Sequence, residues 1–269
     1  MSSDKKKQLL DQLRVLAEQQ LSERTQKRDL AVEKMQGLGT RDDAETQAVL
    51  LEYLTQSENE LLRPLAASRL GEIGGTAVVR ELLQRLESDI EDDVRVLMIQ
   101  ILAEIGDGDA SLTLIRMLES DALSEVRQRV AMALGKTGGE DAFDALINSL
   151  NAEIDKQVRQ QSINALGWLK DERAIPDLVR IMQTDTDKET QTFAAEALGR
   201  IGSERCYAPL IDTLQNRDYL PIVRYYAAYA LGLLGDGRAI EPLQAIIDTP
   251  SEHSWVAQMA SESLEKLQS

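Results

Sequence analysis

The sequence is poor in aromatic residues and in the residues that most often carry catalysis. Its 269 residues include two Phe, two Trp, six Tyr, one Cys and one His. One cysteine cannot form an internal disulfide, and one histidine is a poor supply for zinc sites or histidine-activated nucleophiles. We therefore predict no catalytic residue, no metal site and no cofactor, which argues against an enzyme.

Positive charge is also scarce. Lys and Arg number 30 against 46 Asp and Glu, so the formal net charge is −16. Such a surface repels a polyanion, and little counterion release would be available to drive nucleic-acid binding. We therefore exclude nucleic acid as the main partner. The carboxylates are scattered along the chain and identify no acid–base pair.

Long apolar runs are absent. The chain begins Met-Ser-Ser-Asp-Lys-Lys-Lys and continues as an amphipathic stretch, without the apolar core of a signal peptide. The longest nearly apolar stretch, residues 225–235, is far shorter than the roughly 20 residues that cross a bilayer. We predict a soluble, cytoplasmic protein that contacts no membrane, in which residues 1–24 form an amphipathic helix that caps the rest of the chain.

A repeated segment is the strongest feature that the sequence does contain. Val126-Arg-Gln-Arg-Val-Ala-Met-Ala-Leu-Gly has close copies that begin at Val94, Val158 and Val223. The residue after the shared Leu gives the register, with successive spacings of 32, 32, 32, 32, 33 and 33 residues. In order it is Gly71, Ala103, Gly135, Gly167, Gly199, Gly232 and Glu265. Spacing this even indicates a repeat architecture.

Each repeat contains two predicted helices. Apolar residues fall at helical spacing after each Val, and a second glycine then ends the helix, at Gly74, Gly106, Gly138, Gly202 and Gly235. Pro176, Pro209 and Pro242 lie near the first turn of the helix that follows, where proline is tolerated. A single helix pair cannot bury its apolar stripe, so the pairs must stack. We predict an all-α solenoid of about seven helix pairs over residues 25–269, each pair joined by the glycine turn.

The repeat resembles the short HEAT-like repeat of phycobilisome lyases and their relatives. Arg224-Tyr-Tyr-Ala-Ala-Tyr is most similar to the aromatic-rich helix of the phycobilin lyases. The resemblance implies a stack in which the Val-initiated helix lines a concave groove. It also implies two alternative functions, a bilin lyase subunit or bilin-handling protein and a partner of iron–sulfur assembly proteins. A lyase of bilin type is the enzymatic alternative.

A candidate binding patch follows from helical geometry within this groove. Residues two, six and ten positions after each Val should project from the buried stripe. In the last three sets they are Gln160, Asn164 and Trp168; Thr192, Glu196 and Arg200; and Tyr225, Tyr229 and Leu233. Aromatic side chains dominate interface energetics. We predict that Trp168, Glu196, Arg200, Tyr225, Tyr229 and Leu233 bind a protein partner, and that the chain is a chaperone-like scaffold or adaptor.

Other recurring or isolated residues have structural interpretations. An arginine follows the start of most repeats, at Arg63, Arg95, Arg127, Arg159 and Arg224, with Gln191 as the exception. We predict that these arginines bond loop carbonyls and acids and tie repeats together, rather than forming an anion ladder. Cys206 should fill space, Phe193 and Tyr226 should pack between helices, and His253 should be solvated.

Overall fold

A computed structural model describes residues 44–56, 62–86, 91–106, 110–249 and 252–268, together with Gln8 and Gln12. Apart from Gln8 and Gln12, the helix predicted over residues 1–24 lies outside the described ranges, and so do residues 25–43. The prediction that the solenoid starts at residue 25 therefore stays untested.

The described residues form fourteen α-helices and contain no β-strand, which confirms the all-α prediction. The helices are α1 (Ala44–Gln56), α2 (Leu62–Ile73), α3 (Thr76–Leu86), α4 (Asp92–Ile105), α5 (Ser111–Ser120), α6 (Ser124–Thr137), α7 (Glu140–Ala152), α8 (Lys156–Leu169), α9 (Ile175–Thr184), α10 (Lys188–Ile201), α11 (Tyr207–Gln215), α12 (Pro221–Leu234), α13 (Ile240–Ile247) and α14 (Ser254–Gln268). Single 3₁₀ turns precede α9, α11 and α13.

The chain divides into two compact units, Met1–Leu114 and Ile115–Ser269. In the first unit α2 packs against α1 and α4, and α3 packs against α4. In the second unit α6, α8, α10, α12 and α14 pack side by side in chain order. We call these five the inner helices. The outer helices α7, α9, α11 and α13 each pack on the inner helix that follows, and they contact one another much less.

This packing corrects the predicted pairing of helices. The extensive contacts join the two helices on either side of a polar loop, such as α7 and α8, and not the two on either side of a glycine turn. The reason is the direction of the apolar stripes. Leu146 and Leu150 of α7 and Ile163 and Leu166 of α8 are all buried, so the two stripes share one core.

Glycine lets the inner helices approach one another closely. A Cβ atom on Gly135 would lie 2.7 Å from the Cα of Ala165 on the next inner helix, and one on Gly167 would lie 3.0 Å from the Cα of Ala197. Real Cβ atoms are not found so close to backbone, because such overlap is strongly repulsive. The register residue of the repeat is therefore a packing residue, a role that its spacing alone does not reveal.

The helix ends follow the predicted glycine pattern with two exceptions. Gly138 ends α6 with φ of 76° but ψ of −163°, which lies outside the left-handed helical region. Gly106, Gly202 and Gly235 adopt left-handed conformations, with φ between 66° and 75°, as the sequence predicts. At the end of α8 the same conformation is taken by Lys170, with φ of 55°. A side chain there costs free energy that glycine avoids, and this repeat is the one without a predicted glycine stop.

Most of the repeated arginines link neighbouring repeats, as predicted, although Arg95 bonds Asp92 of its own helix at 3.1 Å. Arg127 donates two hydrogen bonds to Glu153, at 2.8 and 2.9 Å, and a third to the carbonyl of Asp121 at 2.7 Å. Arg224 makes the corresponding pair of bonds to Glu252, at 2.8 and 2.6 Å. In the first unit Arg63 forms ion pairs with Glu91 and Asp93. These contacts match the structural interpretation rather than an anion ladder.

Cys206 fills space in the core, as predicted. It is fully buried, and its thiol donates to the carbonyl of Leu198 at 3.6 Å. Burial raises the pKa of this thiol to about 11, which keeps it protonated and unreactive.

Candidate functional site

The six predicted binding residues lie on three neighbouring inner helices, α8, α10 and α12. Trp168 and Leu233 are 36% and 38% exposed, which is unusual for large apolar side chains. Glu196, Arg200, Tyr225 and Tyr229 are half-buried. We call these six residues the inner-helix patch. All of them belong to the unit Ile115–Ser269.

Three residues of the patch pack against a glycine of the preceding inner helix. If Gly135 carried a Cβ atom, that atom would lie 3.1 Å from the Trp168 ring. A Cβ atom on Gly167 would lie 3.2 Å from Nη1 of Arg200. Leu233 rests in the same way on Gly199. Each of these side chains is the tenth residue after its repeat's Val position, so the supporting contact recurs with the repeat. Because they are held against backbone, they form a preorganised surface.

Arg200 has an unusual environment within the patch. Its guanidinium carbon lies 5.9 Å from the centre of the Trp168 ring, a cation–π distance. Its Nη1 atom is buried and makes no hydrogen bond. A buried donor without an acceptor costs about 1–3 kcal/mol, so this arginine is not there to stabilise the fold by hydrogen bonding.

Tyr229 connects two charged residues across the patch. Its hydroxyl donates to Oε1 of Glu196 at 3.4 Å, and the ammonium group of Lys266 lies 5.4 Å from the centre of its ring. Burial and the neighbouring Glu196 carboxylate raise the pKa of Tyr229, which keeps the phenol protonated as a hydrogen-bond donor.

Tyr225 belongs to an aromatic cluster formed by residues of α12 and α14. Its ring centre lies 5.4 Å from that of Tyr226 in an edge-to-face arrangement and 6.0 Å from that of Trp255. The indole Nε1 of Trp255 donates to Nε2 of His253 at 3.2 Å. His253 is exposed, as predicted, but it also holds Trp255 in place.

Sequence reasoning missed two members of this surface. Lys266 and Trp255 were not chosen as binding residues, although both face the predicted tyrosines. Lys266 follows Leu233 by one repeat of 33 residues, so the register contained the signal. Trp255 precedes the regular stripe of its helix, and its signal was the concentration of aromatic residues beyond residue 190, where seven of the ten lie.

Packing predictions at neighbouring positions had mixed outcomes. Tyr226 is buried, as predicted, and Phe193 is half-buried. The expectation that Gln160 projects into the groove was wrong, since it is 5% exposed and donates to Oγ1 of Thr190 at 3.2 Å. The hydroxyl of the next repeat draws this amide inward, which helical spacing cannot reveal.

Two further findings concern the described residues only. Among the described residues, no group of three His, Cys, Asp or Glu side chains is arranged to hold a metal ion. No helix in the part of the chain that the structure describes is long and apolar enough to cross a membrane.

Comparison with protein families agrees with the fold. The profile for HEAT repeats matches residues 16–96, 79–167 and 146–220. These matches cover well over half of the sequence, and the chain belongs to the HEAT-repeat family. The profile for the PBS lyase HEAT-like repeat matches residues 223–249, which include Tyr225 and Tyr229. The resemblance inferred from the repeat is confirmed.

Solved structures with similar folds come from proteins of different function. The complex of CpcE and CpcF of phycocyanin lyase from Nostoc sp. PCC7120 is 23% identical, covers 82% of this chain and 94% of that chain, and has a TM-score of 0.50. The YibA protein of Escherichia coli is 20% identical over 100% of this chain and 97% of that chain, with a TM-score of 0.56. Kap95p, in a structure that describes its binding to RanGDP, is 16% identical, covers 99% of this chain and 41% of that chain, and has a TM-score of 0.62. At these identities the likeness demonstrates the solenoid fold alone. No curated protein matches the sequence.

Proposed function

We propose that this protein is a non-enzymatic scaffold or adaptor, of a chaperone-like kind, that holds a protein partner on the inner-helix patch. The observation that carries the proposal is the exposure of Trp168 and Leu233, which lie two repeats apart and are each supported by a glycine of the preceding inner helix. Rigid, exposed apolar side chains at regular intervals are suited to contact with another protein.

The polar members of the patch would give such an interface its specificity. Arg200 and Glu196 lie on α10, between the helices that carry Trp168 and Leu233. Arginine and tryptophan are enriched among residues that dominate binding energy, and charges beside them fix register and orientation. Nη1 of Arg200 makes no hydrogen bond within the chain. If the guanidinium group moves outward to a carboxylate of the partner, it gains a hydrogen bond and loses none.

Photo-crosslinking in the cells of origin tests this proposal. Leu233 is replaced by benzoylphenylalanine, and the matched control carries the same amino acid in place of Leu220, a loop residue that is 69% exposed. We expect a protein adduct of defined mass from position 233 and none of that mass from position 220. Identical adducts from both positions, or no adduct from position 233, would contradict the proposal.

Truncation of the anchors provides a second readout of the same interface. Trp168→Ala, made in the protein that carries benzoylphenylalanine at position 233, should reduce recovery of the crosslinked partner by at least about tenfold, since loss of a central anchor often costs about 2 kcal/mol or more. Leu220→Ala removes similar apolar area elsewhere and should leave recovery unchanged. Tyr225 and Tyr229 are less suitable first targets because both are half-buried and packed against other rings or charges.

A second candidate function is bilin handling, with a bilin lyase as its enzymatic form. It is supported by the profile match over residues 223–249 and by the similarity to the phycocyanin lyase complex. A free bilin mixed with the protein should change its visible absorbance, and Tyr229→Ala should reduce the change. An unchanged spectrum would remove this candidate. A role beside iron–sulfur assembly proteins stays a prediction.

A further inference from the structure

A cleft opens at the loop edge of the second unit, separate from the inner-helix patch. It has a volume of about 380 Å³ and lies between the ends of α5 and α7 and the polar loops that follow them. None of the residues that line it belongs to the inner-helix patch. A cleft of this size accommodates one long side chain with part of its backbone.

Short side chains on α7 create this cleft. Ser149 lines it together with Ala145 and Ala152. In the other repeats of the same unit, the position of Ser149 holds Met117, Ile181, Thr213 and Ile246. Three of these, Ile181, Thr213 and Ile246, are buried. The hydroxyl of Ser149 instead lies 2.8 Å from the hydroxyl of Ser162, which leaves the space above it open.

The electrostatic character of the cleft favours a cation. Arg127 lines it but is neutralised by Glu153, and the bonds from Arg127 hold the pKa of Glu153 below its usual range. Glu119 and Asp121 also line the cleft. Arg159 also lies at this edge, where it donates to the carbonyl of Ile154 at 3.3 Å. Three carboxylates, those of Glu119, Asp121 and Glu153, therefore face two guanidinium groups, which leaves an excess of one negative charge. The net charge of −16 reinforces this local field.

Two exposed apolar residues lie beside the cleft. Ile154, which forms part of its lining, is 93% exposed, and Leu123 is 39% exposed in the loop of the preceding repeat. At 93% exposure Ile154 contributes almost nothing to the core, whereas Leu123 is covered over more than half of its surface. They provide an apolar surface next to a negatively charged cavity.

We propose that this cleft is a docking site for a basic side chain, presented by a protein segment that also carries a neighbouring apolar residue. The ammonium or guanidinium group lies near Glu119 and Asp121, and its aliphatic stem packs on Ala145 and Ala152. The adjacent apolar side chain of the segment contacts Ile154. This inference does not depend on the function proposed for the inner-helix patch, because the two surfaces share no residue.

An NMR titration of the full chain tests the proposal with short synthetic peptides. The probe is acetyl-Ala-Lys-Leu-Ala-amide, and the matched peptides carry norleucine or Glu in place of Lys. We expect amide shift changes at residues 118–121 and 149–154 with the Lys peptide, and at least about tenfold weaker binding of the norleucine and Glu peptides. Shift changes of equal size with all three peptides, or none with the Lys peptide, would overturn the proposal.

Two variants narrow the cleft without removing its charges. Ser149→Ile introduces the residue found at the equivalent position 181, and Ala152→Leu acts at an exposed position where folding is not at risk. Each should weaken binding of the Lys peptide at least about tenfold. Unchanged binding in a folded variant would show that the peptide binds elsewhere. Equal shifts with spermidine, which has ammonium groups but no peptide, would refute the assignment to a protein segment.

Discussion

At the scale of single residues, two arginines on neighbouring inner helices are used in opposite ways. Arg224 is 5% exposed, and its guanidinium bonds Glu252 and the carbonyl of Leu214. Arg200 has a buried Nη1 without an acceptor. Buried polar groups stabilise a fold only when they are hydrogen-bonded. The first arginine therefore stabilises the fold, and the second is part of the patch that we propose as the partner-binding surface.

Matched substitutions to methionine should separate these roles. Arg224→Met should lower the free energy of unfolding by about 3–5 kcal/mol, because it leaves the buried Glu252 carboxylate without its partner. Arg200→Met should leave it unchanged or raise it by up to about 1 kcal/mol, because an unsatisfied donor is removed. Urea unfolding measures both values. A similar loss in the two variants would contradict the distinction.

Asp187 should make stability depend on pH in acid. It begins α10 and accepts hydrogen bonds from the backbone N–H and the hydroxyl of Thr190, and it pairs with Lys156. The backbone bond from Thr190, followed by the bonds from its hydroxyl and from Lys156, lowers the pKa of Asp187 from 3.8 to about 2. The unfolded chain therefore binds this proton more readily. The stabilisation is present above the unfolded value and is lost as the pH falls through the folded one.

Thermal unfolding between about pH 4 and about pH 2 tests this prediction. Asp187→Asn should reduce the slope of stability against pH in that interval, while asparagine still caps the helix. Asp212→Asn, at an exposed carboxylate on α11, is the control. The same slope in wild type and Asp187→Asn would show that other groups cause the acid dependence.

At the scale of helices, close approach of the inner helices determines how the repeats stack. The register glycines lie at the contact between consecutive inner helices. A Cβ atom on Gly135, Gly167 or Gly232 would meet backbone of the next inner helix, and one on Gly199 would meet the side chain of Leu233. The outer helices contact one another much less, so the stack is held mainly along the inner face. This packing supports the patch residues and fixes their separation.

Gly135→Ala should lower the free energy of unfolding by about 1–3 kcal/mol through overpacking against Ala165. The loss should appear although alanine favours helices by about 1 kcal/mol relative to glycine. Gly237→Ala is the matched control, because a Cβ there has no atom within 4 Å. Chemical denaturation measures both variants. A stabilised Gly135→Ala protein would mean that the helices can separate without cost.

At the scale of the whole molecule, the charge of −16 opposes the compact state. Exposed ion pairs each contribute little, so screening of the overall repulsion should outweigh their loss. We expect the Tm to rise as NaCl is increased from about 0.01 to about 0.15 M, where the Debye length falls to about 8 Å. Sucrose at equal osmolarity is the control for solute effects. A fall in Tm with salt would show that ion pairs dominate.

Much of the site was predictable because register is a local and repeated property. Counting ten residues from the start of each repeat identifies Trp168, Arg200 and Leu233. The glycine against which each side chain packs recurs at the same spacing. Gln160 occupies an equivalent groove position but is buried, since its partner Thr190 lies 30 residues away on another helix. Contacts of that kind depend on the rotation and separation of two helices, which periodicity does not report.

The amino-acid sequence alone determined the helical class, the number of residues per repeat and the stacking of helix pairs. A recurring apolar stripe can be buried only against the next copy, and that requirement is visible in one dimension. Tertiary structure decided which helices pair across the polar loops, that Arg200 lacks one hydrogen bond, and that Ser149 opens a cleft. These features depend on distances of a few ångströms between residues that are far apart in the chain. At such distances, the size of a single side chain determines whether a cavity is filled.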